Sequence, residues 1–154
     1  MSEDHKTNPK QVLVVRTKYP DGKGGFFKPR TGKLIAQGAH ASMKVFFDRI
    51  KERPKDMSWI QPGAKLLPME ITILLDGPMA HWVFGSFTKI VVGCDSEQEL
   101  LDLKAKAEAA GVVCALIVDN GYTEFHGVPT ATVLAVGPDA PDRVDAITGG
   151  LKLL

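Results

Sequence analysis

Residues Ala115–Pro138 read ALIVDNGYTEFHGVPTATVLAVGP, and this stretch decides the fold. An apolar run that ends in Asp-Asn-Gly reads as a buried strand whose carboxylate emerges where the strand stops. A second apolar run, Ala131–Val136, returns after a polar loop of about ten residues, too short for a helical crossover, so the two strands are expected to lie antiparallel. The loop carries Thr123 and Thr130, Thr132 opens the returning strand, and Asp119 closes the first. Side chains at strand ends are rigidly held yet reachable, and ligand sites collect there.

Working outward, QVLVVRT at Gln11–Thr17 is short, β-branched and nearly all apolar, as in a central strand covered on both faces. A glycine-containing basic loop follows, with Lys18, Lys23, Lys28 and Arg30. The next segment predicts a helix over roughly Gly32–Arg53, with Thr31 as N-cap and Pro54 as the stop. Leu34, Ile35, Ala39, Ser42, Val45, Phe46 and Ile50 form its apolar stripe, while Lys33, Gln37, His40 and Lys44 share another face. Met69–Leu75 reads as a strand, and MAHWVFG as a short helix ending at Gly85. Thr88–Cys94 is a further strand. Ser96 and Glu99 form a capping box for a helix over Glu97–Ala110. Asp139 and Pro141 open a last helix.

The alternation of strands and helices predicts an α/β fold: three α/β/α layers around a mixed, mainly four-stranded sheet, with an extra edge strand from 69–75 as an option. At 154 residues the chain is expected to hold one domain over 11–154, behind a disordered tail at 1–10. No apolar run approaches the roughly 20 residues of a membrane span. The polar start has no signal-peptide core, so a cytoplasmic protein without membrane contact is expected. Cys94 and Cys114 read as reduced, packed thiols.

Net charge is +1, but its distribution is uneven. Residues 1–55 hold 13 Lys or Arg against 5 Asp or Glu, a balance of +8. Residues 56–154 hold 6 against 13, a balance of −7. That asymmetry points to a polyanionic partner or, more blandly, to a solvated basic face.

Lys33 lies in the first turn of its helix, where a cation opposes the helix dipole and an anion is favoured. A phosphate site explains it better than helix stability does. Asp119 is the candidate for orienting water or moving a proton, although turn formation is the commoner use of Asp-Asn-Gly. Threonine hydroxyls at 123, 130 and 132 suit phosphate or water, or serve simply as β-formers. No metal-ligand spacing, nucleophile elbow, Walker loop or dinucleotide fingerprint occurs, and no metal is expected.

Taken together, QVLVVRT, GKLIAQGAHAS, TKIVV with DSEQELL, ALIVDNGYTEF, TATVLAVGP and ITGGLKLL resemble, in order, the type 2 peptidyl-tRNA hydrolase family. The resemblance covers most of the chain outside 18–31 and 55–87. It implies cleavage of the ester joining a peptide to tRNA with no metal or organic cofactor required, a four-stranded mixed sheet between helices, and tRNA as partner. It also implies functional roles for Lys33, Asp119, Thr123 and Thr132, supported by Gln37 and His40, with Thr130, Lys28 and Arg30 on the substrate side. The family's usual second lysine falls at Thr31 here, with Arg30 and Lys28 close by. The HGVPT loop is one residue longer than the usual pattern, and residues 57–87 are extended. Trp59, Trp82, Phe84 and Phe87 in or beside that extension read first as core and second as stacking surfaces. A homodimer interface is an alternative use of the segment. The rival readings are a non-catalytic tRNA- or protein-binding module on the same fold, and a hydrolase of a different acyl ester.

Overall fold

The computed structural model describes residues 8–58, 60–65 and 67–154. In chain order it contains β1 (Lys10–Arg16), β2 (Tyr19–Pro20), β3 (Phe26–Phe27), α1 (Thr31–Phe47), α2 (Gly77–Phe84), β4 (Thr88–Cys94), α3 (Glu97–Ala109), β5 (Cys114–Asp119), β6 (Thr130–Asp139), α4 (Pro141–Thr148) and β7 (Lys152–Leu153). Five strands form one mixed sheet in the order β5-β6-β1-β4-β7, and β2 and β3 form a separate small hairpin. β1 runs parallel to β4 and antiparallel to β6, and β5 and β6 are antiparallel, as their short connection requires.

The pattern of β1 explains the layers. Alternate side chains of a strand point to opposite faces, so a strand covered on both sides is apolar throughout. Val12 and Val14 join Leu100, Leu103 and Ala107 of α3 and Val144 and Ile147 of α4 in one core cluster. Leu13 and Val15 join Ala41 and Val45 of α1 and Met79 of α2 in the other. The sheet is thus sandwiched between α3–α4 and α1–α2.

The helix ends follow local chemistry. Asp76 caps α2 by accepting from Met79 N–H at 2.9 Å, with Pro78 in the first turn. Ser96 and Glu99 form the expected capping box on α3. By contrast, α1 has Arg30 at its N-cap position, not Thr31, and no side chain caps it.

Three further expectations change. α1 ends at Phe47 rather than Arg53, because the chain leaves to pair with a distant segment. Ile50 bridges Ile73, Lys51 N–H donates to Thr72 O at 3.0 Å, and Arg49 Nε donates to Leu74 O at 2.7 Å. These contacts outweigh helix propensity in the last six residues. The optional edge strand at 69–75 is reduced to that single bridge. β7 supplies the fifth strand instead, occupying the free edge of β4 through Val92 and Gly93. Third, Asp139 does not cap α4, whose N-cap is Ala140 without a side-chain bond; its carboxylate accepts from Ala140 N–H and Arg143 Nε.

Residues 1–7 of the expected tail and Trp59 lie outside the described residues. Trp82 is core at 2% exposure, whereas Phe84 and Phe87 are exposed. Cys94 and Cys114 are free thiols, and burial pushes the pKa of both up. Among the described residues no helix is long and apolar enough to cross a membrane.

One irregularity positions the site. From Ile117↔Val133 the β5–β6 register shifts to Val118↔Ala131 and Asp119↔Thr130, so Thr132 is the extra residue of a β-bulge. Leu134, paired with both Val14 and Leu116, lies fully buried just inside it. Replacing Leu134 with Ala is expected to lower unfolding stability by about 2–5 kcal/mol, against about 1 kcal/mol for Ser96→Ala, in urea denaturation.

Candidate active site

β1, β4 and β5 point the same way, so their carboxyl ends share one edge of the sheet. Arg16 and Asp119 stand at that edge. α1 and α3, which follow β1 and β4 in the chain, begin there too. Crevices at the carboxyl ends of such strands are where α/β folds bind ligands.

Asp119 is the centre of the cluster. Its Oδ1 accepts from Gly121 N–H at 2.8 Å. Its Oδ2 accepts from Gln37 Nε2 at 2.9 Å and pairs with Lys33 Nζ at 3.1 Å. Both charged side chains are mostly withdrawn from water, with 13% of Lys33 and 12% of Asp119 exposed. Burial raises the carboxyl pKa, but the Gly121 N–H, the Lys33 ammonium and the Gln37 amide together outweigh it and hold Asp119 below its ordinary value. The carboxylate is therefore ionised at neutral pH.

Each donor is placed by a different part of the fold. Lys33 and Gln37 are one helical turn apart on α1, so they reach the same point. Gly121 has a positive φ of 84°, and a Cβ there would sit 2.4 Å from Val128 O, so only glycine fits the turn that presents its N–H. Thr132, the bulged residue, donates from Oγ1 to Gln37 Oε1 at 2.8 Å. That bond fixes which end of the Gln37 amide faces Asp119. Lys33 Nζ also donates to Thr123 Oγ1 at 2.6 Å and lies 4.8 Å from the centre of the Phe125 ring, a cation–π contact.

The structure thus brings together five of the residues singled out in the sequence: Lys33, Gln37, Asp119, Thr123 and Thr132. The other four stand apart. Thr130 turns its hydroxyl to Val128 O at 2.8 Å. His40 is on the exposed side of α1, and Lys28 is exposed. Arg30 pairs with Glu124 at 2.8 Å, with 84% of its side chain exposed.

The sequence reading passed over Arg16, Tyr19 and Phe125. Arg16 ends an apolar strand just as Asp119 does, and that shared signal could have found it. Its side chain is 9% exposed, lies over the Tyr19 ring at 4.4 Å, and donates to Lys18 O, Ala131 O and Glu97. The rings of Tyr19 and Phe125 are 4.8 Å apart.

A half-buried carboxylate beside an ammonium, with two threonine hydroxyls bonded to its donors, makes this an α/β protein with a charged polar cluster at the carboxyl edge of its sheet. The chain belongs to the peptidyl-tRNA hydrolase PTH2 family, whose pattern matches residues 9–154. It is 33% identical to the peptidyl-tRNA hydrolase of Methanocaldococcus jannaschii over 94% of this chain and 99% of that protein. It is 35% identical to that of Thermococcus sibiricus, covering 94% and 97%. It is also 35% identical to the probable peptidyl-tRNA hydrolase 2 of Dictyostelium discoideum, over 94% of this chain and 54% of that longer protein. The family is one of hydrolases.

An aspartate whose pKa falls on folding contributes stability that is present above its unfolded value of about 4 and lost as pH drops through the lower folded value. Removing the ammonium in Lys33→Met leaves burial less opposed. The Asp119 titration, followed by carboxyl-carbon NMR, is expected to move to higher pH, and acid unfolding to begin at higher pH with it.

Proposed function

We propose that the chain hydrolyses the ester between the peptide and the terminal ribose of peptidyl-tRNA, releasing free tRNA and a peptide carboxylate. The observation that carries this reading is the continuous set of bonds from Thr132 through Gln37 and Asp119 to Lys33 and Thr123. It supports chemistry at the solvent-facing end, where Lys33 and Thr123 stand.

In this mechanism water attacks the ester carbonyl carbon without a covalent enzyme intermediate. Asp119 accepts a hydrogen bond from that water and orients it. A carboxylate with three donors is a weak base, so orientation is the role its environment favours. As the carbonyl oxygen gains negative charge, the Lys33 ammonium stabilises it. Thr123 accepts from Lys33 through oxygen, which leaves its own proton free for the substrate. Collapse of the tetrahedral intermediate breaks the bond to the ribose oxygen, which takes up the proton lost by water. Thr132 is buried and donates to Gln37, so it acts as a positioning residue rather than touching substrate. The basic N-terminal third holds tRNA through phosphate contacts, which read shape rather than sequence. Such a role belongs in the cytoplasm with translation.

The test is release of free tRNA from N-acetyl-aminoacyl-tRNA. Asp119→Asn is expected to lower kcat by about 10²- to 10⁴-fold, and Lys33→Ala by about 10²- to 10³-fold. Full activity in Asp119→Asn would remove that residue from the mechanism. Thr132→Val keeps the shape but frees the Gln37 amide, and is expected to reduce kcat about tenfold with KM little changed, as for one lost hydrogen bond of about 1.5 kcal/mol. Binding of tRNA that weakens with salt, without any turnover, would favour a binding module on the same fold.

A further inference from the structure

Beside the Asp119–Lys33 cluster, between the β2–β3 hairpin and the loop that leads into β6, lies a cavity of about 370 Å³. The mechanism above makes no use of it. Its walls include Arg16, Tyr19, Phe27, Phe125, Pro129 and Thr130. Two of these connect it to the reacting centre. Phe125 carries Lys33 on its ring, and Thr130 is paired across the sheet with Asp119.

The walls have a definite chemistry. Tyr19, Phe27 and Phe125 form an aromatic group, with ring centres 4.8–6.2 Å apart. Arg16 is nine-tenths buried and uses Nε and Nη1 in hydrogen bonds, whereas its Nη2 has no partner among the described residues. The hydroxyl of Tyr19 is buried and likewise without a partner among them. Buried polar groups are ordinarily satisfied, and the orphaned Tyr19 hydroxyl beside the unbonded Arg16 Nη2 at an aromatic cavity marks a place for a flat, polar-edged group.

A shallower basin of about 400 Å³ adjoins this cavity and shares Phe27 and His126 with it. Lys28, Arg30 and Glu124 complete its lining. The carboxylates around the two spaces are already engaged. Asp21 accepts from the Lys23 and Gly25 N–H groups, Glu97 accepts from Arg16, and Glu124 accepts from Arg30. The exposed Lys28 has no ion pair among the described residues, so the free charge in the basin is positive.

We propose that the inner cavity receives the base of the 3′-terminal adenosine of tRNA, and that the outer basin takes the phosphate joining it to the preceding nucleotide. The inference rests on the peptidyl-tRNA reading above. An aromatic chamber with a guanidinium nitrogen at its edge suits a purine, through stacking and a bond to a ring acceptor. With the base there, the ribose ester falls between Phe125 and the Asp119–Lys33 pair. The β2–β3 hairpin then acts as one wall of the subsite.

The test uses the whole chain and two readouts. In NMR titrations with AMP, shifts are expected among residues 16–28 and 121–130. They are expected to weaken in Arg16→Gln, and inorganic phosphate alone is expected to shift the basin residues Lys28, Glu124 and His126 but not Arg16, Tyr19 or Thr130 of the inner cavity. Val128→Trp fills the cavity from an exposed lining position. It is expected to raise KM for N-acetyl-phenylalanyl-tRNA about tenfold, as for one lost stacking contact, with a smaller change in kcat. The proposal is overturned if AMP perturbs neither segment, if phosphate alone reproduces its pattern, or if Val128→Trp folds and leaves KM unchanged. An unaltered chain that cleaves no peptidyl-tRNA sinks the substrate reading instead. Cleavage whose KM ignores both Val128→Trp and Arg16→Gln sinks only the subsite.

Discussion

Asp119 is a charge held largely out of water, and much of the architecture follows from keeping it satisfied. Withdrawing an ion from water costs several kcal/mol unless other groups replace its hydration. Here the replacement comes from the 119–121 turn through Gly121 and from α1 through Lys33 and Gln37. Gln37 is held in turn by Thr132 of β6. One carboxylate therefore locks α1 onto the β5–β6 pair. The same contacts lower its pKa, so the feature that rigidifies this corner also keeps a negative charge ready at the sheet edge.

The parts legible in the sequence were those fixed by short-range rules. Ser96 and Glu99 announce α3 because a capping box needs only four consecutive residues. Gln11–Thr17 announces a central strand because no residue in its middle tolerates water. Lys33, Gln37 and Asp119 were findable because helical period and strand termination put chemistry at predictable places. The early end of α1 was not legible. It depends on Ile50, Lys51 and Arg49 meeting residues 72–74, a pairing with no local signature. The same holds for β7, whose two residues are a strand only because β4 offers an open edge. In the site, the sequence suggested a hydroxyl for substrate at Thr132, whereas the fold buries it behind Gln37.

The charge asymmetry gains a location. The cations at 16–33 surround the hairpin and the start of α1, at the edge where Asp119 emerges. α1 begins without a side-chain cap and with no acid in its first turn, so its free N–H groups add to the positive field there. One carboxylate within a basic surround is the charge arrangement that the polyanionic substrate proposed above would call for.

The bulge at Thr132 separates two lengths that would otherwise be coupled. A slip of one residue in a strand exchanges its faces, so an insertion ahead of β6 could in principle turn Thr132 away from Gln37. Because the ladder picks up at Asp119↔Thr130 and is already out of step by Thr132, strand pairing sets the phase, and the number of residues in the 120–129 loop does not. The tip of that loop is tied back to the turn at Asp119 by Gly127 N–H to Gly121 O and by the close fit of Gly121 against Val128 O, whereas adding one residue between 130 and 132 would turn Thr132 out of register with Gln37. The orientation of Thr132 is thus set by the first three residues of β6 themselves.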